Sequence, residues 1–268
     1  MKANKITLFV IAGGISAFVG SWVGFYAHGL WEGTVGTGLW TCCIGLFLVA
    51  SFIVVQDYYV GKVAKIDFDY LVSVLSAGKN KLVIGAVGGF MGGASLALLG
   101  GEIPGWFVEG LILGAALCKT VPNISLKWTC IGGGIAGAVG FIIVMIFSDV
   151  FPGSIAVALG DSLKGILFGS VICFSEKISR KAWVEIIYPG NESRTVTLGS
   201  DPILFGGADI KPKVGQLIYV PGTSIIEKKY TFDGGQVKCF CQSQNKELIL
   251  TDGHRETVGR IEIVTHLK

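Results

Sequence analysis

The chain has 268 residues, 51% of them hydrophobic and only 15% charged, with a formal net charge of +3. That is too apolar for an ordinary water-soluble protein of this size, and it points to membrane insertion. The small positive excess is scattered between apolar runs, so it reads as membrane-flanking charge and gives no nucleic-acid footprint.

The composition divides the chain. Residues up to Ser175 hold 30 of the 40 glycines but only nine Lys/Arg and eight Asp/Glu, whereas the remainder holds thirteen and eleven. The break falls near Glu176-Lys177-Ile178-Ser179-Arg180-Lys181, which separates a transmembrane domain over residues 1–176 from a soluble domain over 182–268.

A membrane-spanning helix needs about 20 mostly apolar residues. Six stretches qualify or nearly do: Ile6 to Tyr26, Thr34 to Val55, Leu82 to Leu99, Ile103 to Cys118, Trp128 to Phe147 and Ser154 to Phe174, the fourth being short. No small-residue cleavage site follows the first, so the expectation is a retained span and not a signal peptide. Turn residues at His28 to Gly33, Gly100 to Gly105 and Ser148 to Gly153 pair the stretches into three hairpins.

Those three links contain no Lys or Arg, whereas the opposite links carry Lys2, Lys5, Lys62, Lys65, Lys79, Lys81, Lys119, Lys127, Lys177, Arg180 and Lys181. By the positive-inside rule this predicts a multi-pass protein of the inner (plasma) membrane with both termini cytoplasmic. Between the second and third stretches, Phe68, Leu71, Val72 and Leu75 have helical spacing after Asp67 and Asp69 and before Gly78, which predicts an interfacial or packing helix.

Each hairpin opens on small residues four apart. Gly85, Gly89 and Gly93 share one helix face, as do Gly20 and Gly24, and Gly133 and Gly137. Such ladders let backbones approach closely, and association in lipid rests on that contact, between hairpins or between copies in a homo-oligomer. The second members also resemble one another, as Thr37-Gly38 to Cys42, Glu109-Gly110 to Gly114 and Lys164-Gly165 to Gly169, so three hairpins are expected around a pseudo-threefold axis.

Glu109, Asp161 and Lys164 are ionisable residues inside the apolar stretches, where each costs about 2.5–3.5 kcal/mol at mid-bilayer on insertion scales. Asp161 and Lys164 are three apart and can pair, and the repeat matches Lys164 to Glu109. An ion pair between hairpins is the expectation, toward the outer ends of the spans where snorkelling is available. The alternative is a small transporter or channel with these three residues on the pathway and the soluble domain as its regulator.

Beyond Ala182 the pattern changes to short alternating or apolar runs separated by Pro189-Gly190, Gly206-Gly207, Pro221-Gly222, Gly234-Gly235 and Asp252-Gly253. About eight strands in one small domain predict an all-β sandwich. Cys239 and Cys241 share a strand face, but with His254 they fall short of a tetrahedral metal set, and no metal or other cofactor is expected. No Ser/His/Asp or paired-carboxylate spacing suggests an enzyme.

The segments Trp183 to Tyr188, Thr195 to Gly199, Pro202-Ile-Leu-Phe-Gly206-Gly207-Ala-Asp209-Ile210 and Leu248 to Ile263 are similar to the opening strands, Gly-Arg segment and closing hairpin of forkhead-associated (FHA) domains. The resemblance implies an FHA-like fold for the soluble domain and a role in binding a cytoplasmic or membrane protein partner. Members of that family hold phosphothreonine through an Arg, a Ser and His pair and an Asn-Gly. Here Gly207 stands in place of the Arg, Thr223-Ser224 is followed by Glu227 where the His is expected, and no Asn-Gly occurs. The resemblance therefore implies the fold without standard phosphothreonine recognition, with Gly207, Lys211, Lys213, Thr223 and Ser224 as the candidate binding loops. The chain as a whole reads as a membrane scaffold or anchor that presents an interaction domain.

Overall fold

A computed structural model describes residues 4–60, 68–190, 192–207, 216–220, 223 and 225–268. Among them are seven helices, α1 (Lys5–Leu30), α2 (Gly33–Tyr59), α3 (Phe68–Ala77), α4 (Lys79–Leu98), α5 (Ile103–Cys118), α6 (Leu126–Ser148) and α7 (Gly153–Ser179), followed by nine strands. The residues fall into two compact units, one helical over 4–56 and 68–175, the other over 57–60 and 176–268.

Five helices, α1, α2, α4, α6 and α7, are long and apolar enough to cross a membrane. The expected fourth span is α5, at 16 residues shorter than the rest. Its partners explain why it is nonetheless a regular helix. Glycines on both sides let α4 and α6 pack against it, at Gly88 on Ala116, Gly92 on Glu109, Gly133 on Gly110 and Gly137 on Trp106.

The glycines also define how the helices are ordered. Within hairpins, Gly20 and Gly24 of α1 lie on Ile44 and Trp40 of α2, and Gly140 of α6 lies on Gly160 of α7. Between hairpins, Gly85 and Gly89 of α4 meet Gly45 and Thr41 of α2, Gly93 meets Thr37 and Thr41, and Gly165 and Gly169 of α7 meet Gly13 and Phe9 of α1. Followed around, α1, α2, α4, α5, α6 and α7 form a closed ring in which each touches two neighbours. At most of these sites a methyl group would run into a carbonyl oxygen or α-carbon of the facing helix, so the backbone itself forms the interface.

The contacts correct the repeat register. Equivalent crossings pair Gly165 with Gly13, Gly110 with Gly133 and Thr41 with Gly89. The counterpart of Glu109 and Lys164 is therefore Trp40, three residues beyond the Thr37 that sequence matching selects. The reason is Thr41, which occupies the glycine position but donates its hydroxyl to Gly89 O at 2.7 Å, so its helix packs closely without a glycine there.

The β unit is two sheets face to face. One has the order β2-β1-β9-β8 and is antiparallel, from β1 (Ala182–Tyr188), β2 (Glu192–Leu198), β8 (Arg255–Val258) and β9 (Ile261–Leu267). The other has the order β4-β3-β5-β6-β7, from β3 (Ile203–Gly206), β4 (Gln216–Tyr219), β5 (Ile226–Asp233), β6 (Gln236–Cys241) and β7 (Lys246–Leu250), with β3 and β4 parallel. Sequence patterning gives about eight strands; the ninth is β8, whose Arg-Glu-Thr-Val carries one apolar residue and is held as a strand by pairing with β9. Strict alternation places Val184, Ile186, Ile263, Phe205, Tyr230, Val237 and Cys239 in the core.

That core also contains Val60, fully buried, which directly follows α2. Residues 57–60 thus belong to the β unit, although they lie far from it in sequence. Arg194 of β2 holds them there. Its guanidinium donates to the carbonyls of Tyr58 and Tyr59, is braced by Glu192 at 2.8 Å, and stacks 5.1 Å from the Tyr188 ring. Tyr188 in turn donates its hydroxyl to Val60 O at 3.1 Å, and burial pushes that hydroxyl's pKa up to about 12, against the opposing pull of Arg194. Cations at helix C-terminal carbonyls are stabilising, and the planar guanidinium serves several acceptors at once.

Two outcomes are expected. Gly133→Val, which drives a side chain into Gly110, Gly114 and Phe168, costs at least about 1–3 kcal/mol and sharply reduces monodisperse full-length protein in detergent, whereas Gly29→Ala, in open space, does not. Arg194→Ala weakens the β unit by about 1–3 kcal/mol, with Arg194→Lys recovering only part, read as faster hydrogen exchange in β1 and β2.

Candidate functional site

Chemistry-bearing side chains gather in one place in each unit. In the helical unit, α5 and α7 carry the ionisable trio. Lys164 Nζ donates to Glu109 Oε1 at 2.9 Å and lies 2.8 Å from Asp161 Oδ1, with all three side chains fully buried. The same ammonium sits 4.9 Å from the centre of the Trp106 ring. Trp106 packs edge-on to Trp40 at 6.0 Å and against Phe141 at 5.7 Å, and Trp40 donates its indole N–H to Ser21.

Glycine makes room for the trio as well as for the ring. Gly92 of α4 lies against the Glu109 backbone and Cγ, and Gly140 of α6 against Lys164 Cβ. Any larger residue there would push the charged stems apart. The expectation that these side chains snorkel to the span ends is therefore corrected: they point into protein and reach no solvent. The ladders require this, because they bring the flanking helices close enough to seal the trio from both sides.

Chemically the arrangement is two carboxyl groups on one ammonium. Glu109 Oε2 and Asp161 Oδ2 have no hydrogen-bond partner among the described residues, so the lysine is the principal compensation for both acids. The trio joins α5 to α7 across the ring, where the two are not neighbours. A cavity of about 220 Å³ elsewhere in this unit is walled by Phe25, His28, Thr37, Trp40 and Val157 and by none of the trio.

In the β unit, the site is the outer face of the five-stranded sheet. Pairing registers place Leu204, Lys229, Phe240 and Glu247 in one row across β3, β5, β6 and β7, and Thr231, Lys238 and Ile249 in the next. These residues alternate with the core positions, so they face away from the sandwich interior. Leu204, Ile226, Lys229, Thr231, Lys238, Phe240, Gln242 and Glu247 line a depression of about 390 Å³. Neither Lys229 nor Lys238 has an ion-pair partner among the described residues, and Ile249 beside them is exposed. Sequence reading singles out none of these positions. The signal that could have found them is Phe240, an aromatic ring in the out-facing phase of β6 whose other members are Gln236 and Lys238.

The opposite side of the same strands behaves differently. Lys228 pairs with Glu256 of β8, linking the two sheets, and burial raises the Glu256 carboxyl. Cys239, 3.8 Å from that carboxylate, is pushed up to about 11 by burial, against the pull of Lys228. Cys241 is lowered, chiefly by its contact with the Ser243 hydroxyl. Among the described residues no cysteines are joined, and no three His, Cys, Asp or Glu side chains are placed to share a metal ion.

The loops singled out by the family resemblance are placed in part. Gly207 is buried and its N–H reaches Ile225 O at 3.4 Å, while Thr223 turns its hydroxyl onto Val220 O at 3.0 Å. Lys211, Lys213 and Ser224 lie outside the described residues. The packing glycines Gly20, Gly24, Gly85, Gly89, Gly93, Gly133 and Gly137 all sit at the helix contacts given above.

No protein-family model matches the chain, and no curated protein matches it. Among solved structures, one described as "Rv0020c_FHA Structure" is similar over 32% of this chain and 94% of its own, at 18% identity and a TM-score of 0.27.

Removing the ammonium strands two buried carboxyl groups. Lys164→Met is expected to cost about 3–5 kcal/mol and to reduce folded protein strongly, while Glu109→Leu, Asp161→Leu and Lys164→Met together restore it, as measured by thermal unfolding in detergent.

Proposed function

We propose that this chain is an integral membrane scaffold of six spans in three hairpins, with α5 the sixth, anchoring a cytoplasmic β-sandwich of FHA-like fold that binds a protein partner. The topology reading rests on the lysine asymmetry of the links, and the FHA-like reading on the segments Pro202 to Ile210 and Leu248 to Ile263. The role is one of binding and not of catalysis, and it does not use the family's standard phosphothreonine recognition, because Gly207 and Glu227 stand where the Arg and His are expected and no Asn-Gly occurs.

One observation carries the reading: the depression on the outer sheet face, where Lys229 and Lys238, without an ion-pair partner among the described residues, flank Leu204 and Phe240. Leu204 and Phe240 between two lysines, with Glu247 the one acid of the lining, fit an acidic segment that also carries an apolar anchor, since the anchor supplies affinity and the charges supply orientation. In the helical unit, the trio reads as a structural tie. Its compensation is internal and it is sealed by Gly92, Gly140 and Trp106, so a transport pathway through Glu109, Asp161 and Lys164 is the weaker reading.

In intact cells, full-length protein with Lys229→Glu and Lys238→Glu should lose at least tenfold of a partner that wild type captures by cross-linking, while Lys211→Glu with Lys213→Glu retains it. Loss confined to the second pair would move the site to the loops and defeat the sheet-face reading.

A further inference from the structure

The helix α3 has a face that neither unit's core accounts for. Around its ten residues Phe68, Leu71, Val72 and Leu75 fall on one side, and Asp69, Ser73 and Ser76 on the other. Leu71 and Leu75 are half-buried, but Phe68 is 78% and Val72 50% exposed, and these two lie one turn apart. An exposed Phe and Val on adjacent turns form an apolar edge left uncovered by protein.

What covers it follows from where the helix is tied. Only Gly78, the N-cap of α4, separates α3 from α4, so the C-terminal end of α3 is tied directly to the first turn of α4. Because α4 is long and apolar enough to cross the bilayer and opens on Lys79 and Lys81, its first turn lies at the membrane surface. The one-residue joint therefore starts α3 at that surface, where the nearest apolar medium for its uncovered edge is lipid.

We propose that α3 lies in the bilayer interface, with Phe68 and Val72 in the acyl boundary and Asp69, Ser73 and Ser76 toward water. The partner is the lipid itself, held by apolar burial: α3 contains no Lys or Arg, and its one ionisable acid, Asp69, would repel anionic headgroups. This rests on α4 being a span, so the test carries its own control.

The full-length protein, with the photoreactive residue benzoylphenylalanine at position 68, 72, 69 or 87 in separate preparations, is reconstituted in phosphatidylcholine vesicles, irradiated and weighed by mass spectrometry. Val87 is an exposed position on α4. Phospholipid adducts are expected at 87, 68 and 72, at least fivefold above 69, and unchanged in high salt. Adducts at 87 without adducts at 68 and 72 would overturn the interfacial helix while leaving the span intact. Cross-linked dimers or intramolecular links at 68 would assign the face to protein and also overturn it. Absence of adducts at 87 would instead defeat the membrane reading on which the proposal stands.

Discussion

The structure depends on backbones that touch. Helices in lipid gain little from burying apolar side chains against one another, since the surrounding acyl chains are as apolar, and van der Waals contact at short range becomes the main source of attraction. In this chain the contact is made by placing glycine, or Thr41 in its stead, wherever two helices cross. Six helices with such crossings on both flanks have one arrangement that satisfies them all, the closed ring.

The ring in turn creates the charged centre. Once α4 and α6 approach α5 and α7 at Gly92 and Gly140, the stems of Glu109 and Lys164 have no route to solvent, and a lone ionised group there would be prohibitive. Three groups together are tolerable, because one ammonium answers two acids and the Trp106 ring supplies a further polarisable face. A pair of this kind contributes more to register than to stability. It ties α5 directly to α7, two helices that are not neighbours in the ring.

The β unit solves a different problem with different means. Here alternation suffices: every second residue of β1, β5, β6 and β9 goes inward and the sheets close on them. The half-buried Lys228 and Glu256 pair then joins the sheets at a specific point. Arg194 holds the carbonyls of Tyr58 and Tyr59 within this unit, and Val60 beyond them lies in its core. The outer face of the five-stranded sheet, with Leu204, Lys229, Lys238 and Phe240, is the face proposed above for a partner.

Much of this could be read from the amino acids. Hydropathy and length give the long helices, the lysine-free links pair them, the glycine ladders mark the crossing faces, and alternation with Gly and Pro punctuation gives the strands. Those signals are local, because a span, a ladder or a strand is encoded within about 20 residues. Other features emerged only with the fold. Thr41 acts as a glycine because its hydroxyl finds Gly89 O, 48 residues away, and that shifts Trp40 into register with Glu109 and Lys164. The trio's complete burial, the strand β8 with its single apolar residue, the docking of Val60 and the outer row of Leu204, Lys229, Phe240 and Glu247 likewise arise from pairings between distant segments. Each is set by which surfaces meet once the chain has closed on itself, a property that no window of sequence contains.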